Sequence, residues 1–315
     1  MAKPLPTDWF LRSRLKMRHI LLLAAIDRHK SLHKAAAALH MTQPAATRLL
    51  GDLEATLELR LFQRTARGLA PTPHGESLVR HARQMLGTLD HARAELSAIS
   101  DGASGRVVMG TLLVVAPVLV PQALARFKRS CPRVTVEVRE GTLATLLPQL
   151  RGGEIDLVVG RLTTDFDSDG LHFEPCYDEP MCVVVGAHHS LAERSGLRLA
   201  DLGAAAWILP LPETAYRQRI DAAFRNEGVD PPAQLVESVS ILTNTMLLQE
   251  TDMLGVLPYN VARHYVAAGS VRVLDVRLPE PSGPVGMITL AGLTGSPVVE
   301  PLLEALRGVA ATMRN

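Results

Sequence analysis

The stretch that most limits the fold is a run of four alanines, Ala35 to Ala38, with Ser31 before it and Thr42-Gln43-Pro44 after it. Ser31 offers an N-cap for a short helix from Leu32 to Leu39, and alanine both favours that helix and lets another approach it closely. His40-Met41 is then a turn. Thr42 caps the next helix, and Pro44 falls in its first turn, where a missing N–H costs nothing. This second helix is predicted to run to about Leu57, burying Ala46, Leu49, Leu50 and Leu53. Ahead of the pair, Ile20, Leu23, Ala24 and Ile26 recur at helical spacing across Leu15 to His29. Behind it, Leu59 to Arg64 and Leu69 to Thr72 flank the turn Thr65-Ala66-Arg67-Gly68, which reads as a β-hairpin. Helix, tight turn, capped helix and basic hairpin in this order make a winged helix-turn-helix.

Charge is divided in the same place. The formal net charge is only +1, but residues 1–70 carry 12 Lys/Arg against 5 Asp/Glu, and the remainder is net −6. Such a split fits a polyanion-binding head on an acidic body, although a solvated basic face gives the same count. The N-terminal half of the second helix sharpens the choice, because it is the part that enters the major groove. Gln43 can pair with adenine and Arg48 with guanine, while Thr42 and Thr47 can bond a base edge or pack on a thymine methyl. Pro44 leaves the approach uncrowded. Arg64 and Arg67 on the wing suit phosphate or minor-groove contacts, which position the module more than they specify sequence.

From His74 to about Ser100 a proline-free pattern places Leu78, Met85, Leu89, Ala92 and Leu96 along one stripe. It reads as a long helix whose seam pairs with a second copy or packs on its own domain. Asp101-Gly102-Ala103-Ser104-Gly105 is a linker. Beyond it strands and helices alternate. Strands are expected at Val107 to Leu113, Val134 to Glu140, Ile155 to Gly160, Met181 to Gly186, Trp207 to Leu209, Gln234 to Ser238, Met253 to Leu257 and Gly286 to Leu290. Helices are expected at Pro117 to Ser130, Leu143 to Arg151, Tyr216 to Asn226, Ile241 to Gln249, Val261 to Ala267 and Pro297 to Met313. That is an α/β domain with a largely parallel sheet.

The residues Ala35 through Arg48, with Leu53-Glu54, Leu61-Phe62-Gln63-Arg64, Thr72-Pro73-His74-Gly75 and Gly153-Glu154-Ile155-Asp156-Leu157-Val158-Val159-Gly160, resemble the LysR-type transcriptional regulators. The resemblance spans nearly the whole chain. It implies a winged helix-turn-helix at 1–73, a dimerising linker helix at 74–103, and a two-lobed effector domain, similar to periplasmic binding proteins, at 104–315. Lobe I is expected near 104–172 and 276–315, lobe II near 173–275, with two crossover strands between them. The family implies double-stranded promoter DNA, a small-molecule effector, further copies of the chain (a dimer through the linker helix, then a tetramer) and RNA polymerase as partners, with no cofactor. Two departures stand out: Thr47 replaces the usual serine, keeping the hydroxyl, and Met1 to Arg14 form a longer lead.

In such a split domain a ligand sits beyond the carboxyl ends of the strands, where helix N-termini offer N–H groups to anions. Thr111 to Val114, Gly141-Thr142 and Gly160-Arg161 occupy those places. By resemblance Thr142 and Arg161 match effector-contact positions, and Pro210-Leu211-Pro212 looks like the opposing lobe's contribution. Arg161 suits a carboxylate or phosphate, or else forms a surface salt bridge. Leu112, Leu113 and Val114 make the mouth apolar, which favours a partly apolar acid such as a sugar-derived or aromatic acid.

Other chemistries fit less well. His188-His189 has no third ligand at metal spacing. Asp165, Asp167 and Asp169 alternate like a calcium loop, but the expected glutamate is Cys176. Asp178-Glu179 would be an acid/base pair only if a substrate met it, and no phosphate loop or nucleophile elbow occurs. An enzyme with an accessory DNA-binding head would need a reactive cluster in 105–315, which the sequence does not offer. A periplasmic solute-binding protein would need an export signal. The run Ile20 to Ile26 follows basic residues but is too short to span a bilayer and leads into Asp27-Arg28-His29-Lys30. Three scattered cysteines fit a reducing cytoplasm.

Overall fold

The computed structural model describes residues 14–65, 68–101, 105–162, 168–281, 283–291 and 298–313. Arg67, Asp165, Asp167, the linker residues 102–104, Pro297 and residues 1–13 of the lead lie outside the described residues. The chain divides into two units, 1–106 with 144–156, and 107–143 with 157–315.

In the first unit α1 (Met17–His29), α2 (Leu32–Ala38) and α3 (Gln43–Leu57) precede a hairpin of β1 (Phe62–Thr65) and β2 (Gly68–Pro71), and α4 (Pro73–Asp101) follows. Each start has a local cause. Ser31 Oγ accepts from Lys34 N at 3.4 Å, and Thr42 Oγ1 from Ala45 N at 3.4 Å. Ala35 and Ala36 are buried while Ala37 and Ala38 face solvent, so half of the alanine run serves close packing. They join Ile20, Leu22, Leu23, Ile26, Ala46, Leu49, Leu53 and Leu57 in one core. Leu50, expected inside, is only half-buried. The hairpin pairs Phe62 with Pro71 and Thr65 with Gly68. Gly68 has φ +115°, and a side chain there would meet Lys30 O at 2.5 Å, so glycine alone fits the turn. Residues 144–156 group with this unit. Arg83 of α4 is ion-paired with Asp27 and lies 4.0 Å from Glu154, and a Cβ built on Gly87 would lie 2.7 Å from Gly153 Cα.

Two five-stranded sheets make up the second unit. In chain order from residue 105 come β3 (Gly105–Thr111), α5 (Leu119–Ser130), β4 (Val134–Glu140), α6 (Leu143–Arg151), β5 (Leu157–Arg161), β6 (Leu171–Tyr177), β7 (Met181–Gly186), β8 (Trp207–Leu209), α7 (Ala215–Asn226), β9 (Leu235–Glu237), α8 (Ile241–Glu250), β10 (Leu254–Pro258), α9 (Tyr259–Ala267), β11 (Val271–Leu274), β12 (Val285–Leu290) and α10 (Glu300–Ala310). The first sheet has the order β4-β3-β5-β12-β6, the second β11-β7-β10-β8-β9. Both are mixed rather than largely parallel. β3 runs parallel to β5, and β8 runs parallel to β9 and β10, whereas β12 is antiparallel to β5 and β6, and β7 to β10 and β11.

The lobe boundary moves as well. β6 belongs wholly to the first sheet, so residues 173–177 sit with lobe I rather than lobe II. Its Pro175 is tolerated because β6 is an edge strand, where no ladder N–H is needed. α10 packs on α5, closing one face of the first lobe. In the second lobe Trp207 is fully buried, meets Phe224 edge-on at 5.7 Å and donates to Leu202 O at 2.9 Å. Residues 178–180 and 275–284 carry the chain between the sheets.

Candidate DNA-reading helix and effector cleft

Along α3 the periodicity of 3.6 separates two faces. Ala46, Leu49 and Leu53 are buried, and Thr42, Gln43, Pro44, Thr47 and Arg48 are exposed together at its N-terminal end. Thr42 is the cap itself, so its hydroxyl is occupied by Ala45 N. Thr47 is exposed, and its Oγ1 donates to Gln43 O at 2.9 Å, so its hydroxyl proton is already committed to the helix backbone. Gln43 and Arg48 keep long polar side chains in solvent, of the types able to make bidentate contacts with a base edge. His40, in the turn before α3, adopts φ +53°, a left-handed conformation usually left to glycine.

The wing is held to α3 by a buried carboxylate whose only mark in the sequence is its place in the Leu53-Glu54 motif. Glu54 is 8% exposed. Its Oε1 accepts from Leu61 N at 2.7 Å and Phe62 N at 3.2 Å, and its Oε2 from Arg60 Nη1 at 2.9 Å. One side chain on the last turns of α3 thus fixes where β1 begins, and with it exposed Arg64 two residues on. Thr72 performs a similar task at the start of α4, donating from Oγ1 to Arg60 O at 2.7 Å while accepting from Gly75 N at 3.2 Å. A Cβ on Gly75 would sit 1.9 Å from Leu61 O, which explains a glycine inside the first turn of a long helix.

In the second unit the first sheet brings three predicted places to one edge. Thr111 ends β3 opposite Val159 of β5, Leu112 N donates to Val159 O at 3.0 Å, and Gly141 N donates to Thr111 O at 3.1 Å. Thr111, Thr142 and Arg161 therefore lie at neighbouring strand ends. Their side chains differ in availability. Thr111 is fully buried, its hydroxyl donating to Leu112 O at 3.3 Å. Leu112 is half-buried, so close over Gly160 that a side chain there would meet it at 2.7 Å. Leu113 and Thr142 are exposed. β3 stops at Thr111, and Leu112 to Val118 form turns before α5, so these residues line a loop rather than a strand.

Arg161 is the most engaged of the set. Nη1 donates to Gly283 O at 2.9 Å and Nη2 to Glu179 O, one carbonyl in each crossover. Its partners are backbone carbonyls, not the carboxylate of a surface salt bridge. Burial lowers its pKa, opposed by the nearby Glu179 and Tyr216. Glu179 is itself buried, with Oε1 and Oε2 accepting from Asn260 N and Nδ2, both at 2.9 Å. Burial and Glu179 push the Tyr177 phenol up, and burial raises that of Tyr216. Burial, assisted by Glu179, pushes the Cys182 thiol up to about 12, which keeps it protonated and unreactive.

From the second lobe, Leu211 is half-buried and Pro212 exposed in the loop after β8. Leu211 O accepts from Thr214 Oγ1 at 2.7 Å, and Pro210 O from Arg217 Nη1 at 3.0 Å, so the loop is anchored to α7. Tyr216 Oη donates to Pro279 O at 3.2 Å, tying α7 to the second crossover. Tyr216 and Asn260, which the sequence does not single out, and Glu179, weighed there only as half of an acid/base pair, make their hydrogen bonds at the crossovers. Their only signals are a tyrosine at a helix start and an acidic pair between strands. Of the histidine pair, His189 is held in a turn, its Nδ1 accepting from Leu191 N and its Nε2 facing Asp252 O.

Comparison with known proteins places both units. A family model described as the LysR substrate binding domain matches residues 100–311, and one described as the bacterial regulatory helix-turn-helix protein, lysR family, matches residues 17–76. The HTH-type transcriptional regulator GbpR of Azospirillum brasilense is 36% identical over 98% of this chain and 90% of its own length. PcaQ of Agrobacterium fabrum is 31% identical over 94% of this chain and 96% of its own. Among solved structures, a full-length OxyR variant from Pseudomonas aeruginosa has a TM-score of 0.67 at 22% identity, covering 93% of this chain and 97% of that one. CbnR in complex with its target DNA has a TM-score of 0.61 at 21% identity, covering 94% and 100%. At these identities the structures speak for the fold.

Proposed function

The chain belongs to the LysR family of transcriptional regulators, with a helix-turn-helix DNA-binding domain and an effector-binding domain, and from that premise we propose a ligand-gated reader of promoter DNA. The observation that carries the reading is the exposed face of α3. Gln43, Thr47 and Arg48, with Thr42 and Pro44 at the helix start, enter the major groove. Arg64 and Arg67 of the wing hold the flanking phosphates or minor groove.

Two heads act together through α4. Met85, Leu89 and Leu96 are large apolar side chains exposed at 45, 48 and 66%. They are spaced by four and seven residues, the repeat of a two-helix seam. Pairs of such dimers would make a tetramer on two successive sites, with output to RNA polymerase. The effector is a small organic acid with an apolar part, a sugar-derived or aromatic acid fitting best. Leu113, Thr142, Leu211 and Pro212 offer its contacts, and Arg161 offers the N–H groups not given to the crossovers. Thr111 and Leu112 shape the floor from behind. Because Arg161 also holds Gly283 and Glu179, an anion drawing on it biases the crossovers and hence the relation of the two lobes.

Protection mapping on genomic fragments, with and without a panel of small organic acids, tests both halves. Arg48→Ala should lower specific binding by about 10-fold or more and leave nonspecific binding at the same salt nearly unchanged. Equal loss of both would refute base reading by Arg48. Arg161→Gln should keep the protected footprint and lose its change with ligand. A variant with the full ligand-induced change would remove Arg161 from the effector site.

A further inference from the structure

The second lobe holds a buried acceptor to which the fold gives no partner. Asn244, the fourth residue of α8, is 5% exposed, and among the described residues nothing donates to its Oδ1. Its Nδ2 donates to Ser238 O at 3.5 Å, the long limit of a hydrogen bond, so the amide leans back toward the start of the helix. Leaving such an acceptor unpaired is destabilising, and an apolar residue of similar shape would avoid that cost.

The helix start toward which it leans is a set of donors. Ser240 caps α8, its Oγ accepting from Thr243 N at 3.3 Å and from Thr243 Oγ1 at 2.9 Å. The N–H groups of Ile241 and Leu242, in the first turn, have no acceptor among the described residues. Asn244 stands one turn above Ser240 and Ile241, so the unpaired acceptor and the unpaired donors share one end of the helix.

We propose that this end of α8 receives hydroxyl groups of the effector, and that the effector is a polyhydroxylated, sugar-derived acid rather than an aromatic one. The proposal rests on the effector reading above and narrows it. A hydroxyl both gives a proton to an amide oxygen and accepts one from an N–H group. A carboxylate cannot donate, an ammonium cannot accept, and an unsubstituted aromatic ring does neither. The place agrees with the chemistry. Ser238 follows β9 and its N donates to Leu209 O at 2.9 Å, which sets the Ser238–Ser240 loop beside the loop that carries Leu211 and Pro212. β8 and β9 are parallel, so both loops leave from carboxyl ends of strands, the edge at which ligands sit. Arg217 Nη1 donates to Pro210 O at 3.0 Å and to Glu237 Oε1 at 3.1 Å, tying the end of each strand to α7. Polar groups held in place this way discriminate against a ligand that lacks the matching hydroxyl.

Saturation-transfer NMR titrations of the full-length protein with D-gluconate, D-galactonate and hexanoate test this. The three share a chain length and a carboxylate, and hexanoate alone lacks hydroxyls. One or both sugar acids should bind about tenfold or more tightly than hexanoate. Asn244→Leu should cut that preference by about three- to tenfold and leave the melting temperature level or higher, because it removes an unpaired acceptor. Asn244→Ala makes the same binding test should Asn244→Leu not fold. Equal binding of the sugar acids and hexanoate, or a preference that these variants keep in full, would overturn the proposal. Hexanoate binding that Arg161→Gln removes would in that case leave the broader organic-acid reading standing. Binding of none of the three would also overturn it, and benzoate then decides the broader reading, which stands if Arg161→Gln removes benzoate binding and falls if benzoate does not bind.

Discussion

Replacing Glu54 with alanine should cost more than any other surface-adjacent change in the first unit. The carboxylate accepts two backbone N–H groups, from Leu61 and Phe62, whose residues are 1% and 7% exposed. Alanine offers no acceptor, and water cannot reach those donors freely. A buried N–H left without a partner costs about 1–3 kcal/mol, so two cost roughly 2–6 kcal/mol. The third partner, Arg60, is 85% exposed at its side chain, and such pairs contribute about 1 kcal/mol or less. The expected loss is therefore about 3–4 kcal/mol. Against a typical domain stability of about 5–15 kcal/mol, this would leave the wing poorly held or the unit marginal. Urea denaturation followed by tryptophan-independent circular dichroism would measure it, with DNA binding as the second readout. Arg60→Ala serves as the internal control and should change stability by about 1 kcal/mol or less. A Glu54→Ala loss below about 1 kcal/mol, or one matched by Arg60→Ala, would refute the view that the two backbone donors depend on this carboxylate.

Gly75→Ala forces a methyl against Leu61 O and should destabilise the first unit by about 1–3 kcal/mol, read as a lowered urea midpoint; an unchanged midpoint would mean that α4 shifts freely. His40→Gly should relieve the left-handed backbone at φ +53° and stabilise the unit by about 0.5–1 kcal/mol, visible as a raised melting temperature. His19 is buried, and burial, then Arg18 and Lys16, lower its pKa below the ordinary 6.5. Its Nδ1 accepts from Lys16 N at 3.1 Å, which only the deprotonated nitrogen can do. Below 6.5 the unfolded chain binds this proton first, so stability falls as pH drops from 6.5 toward the folded value and is flat above it. The midpoint difference between about pH 7.5 and about pH 5.5 should accordingly shrink in His19→Gln, and equal differences in both proteins would exclude His19 as the source.

The parts legible in the sequence are those whose causes are local. Ser31 and Thr42 cap their helices through N–H groups three residues on, and Ala46, Leu49 and Leu53 repeat at the helical period, so α2 and α3 can be placed almost to the residue. β4, α6, β7 and β8 have the bounds expected from runs of apolar or alternating residues between turn signals. β6 and β11 are absent from the expected strands because nothing within Leu171–Tyr177 or Val271–Leu274 distinguishes them from loops. β6 even contains Pro175. It is a strand because β12, over a hundred residues later, supplies the pairing of Ile288 with Phe173. The mixed direction of both sheets and the lobe membership of 173–177 follow from the same long-range pairing.

The site divides along the same line. The exposed Gln43, Thr47 and Arg48 can be foreseen, since one helix with one buried face leaves them nowhere else to point. Arg161 can be placed at a strand end, but not its carbonyl partners Gly283 and Glu179, which are brought to it by two separate crossovers. Sequence alone thus determined the reading head, because capping and helical periodicity act within a few residues. Only the tertiary structure decided how the head's wing is held by Glu54 and how the two lobes are joined, because a buried polar group takes whatever partners distant segments bring, and those segments are set by the fold as a whole.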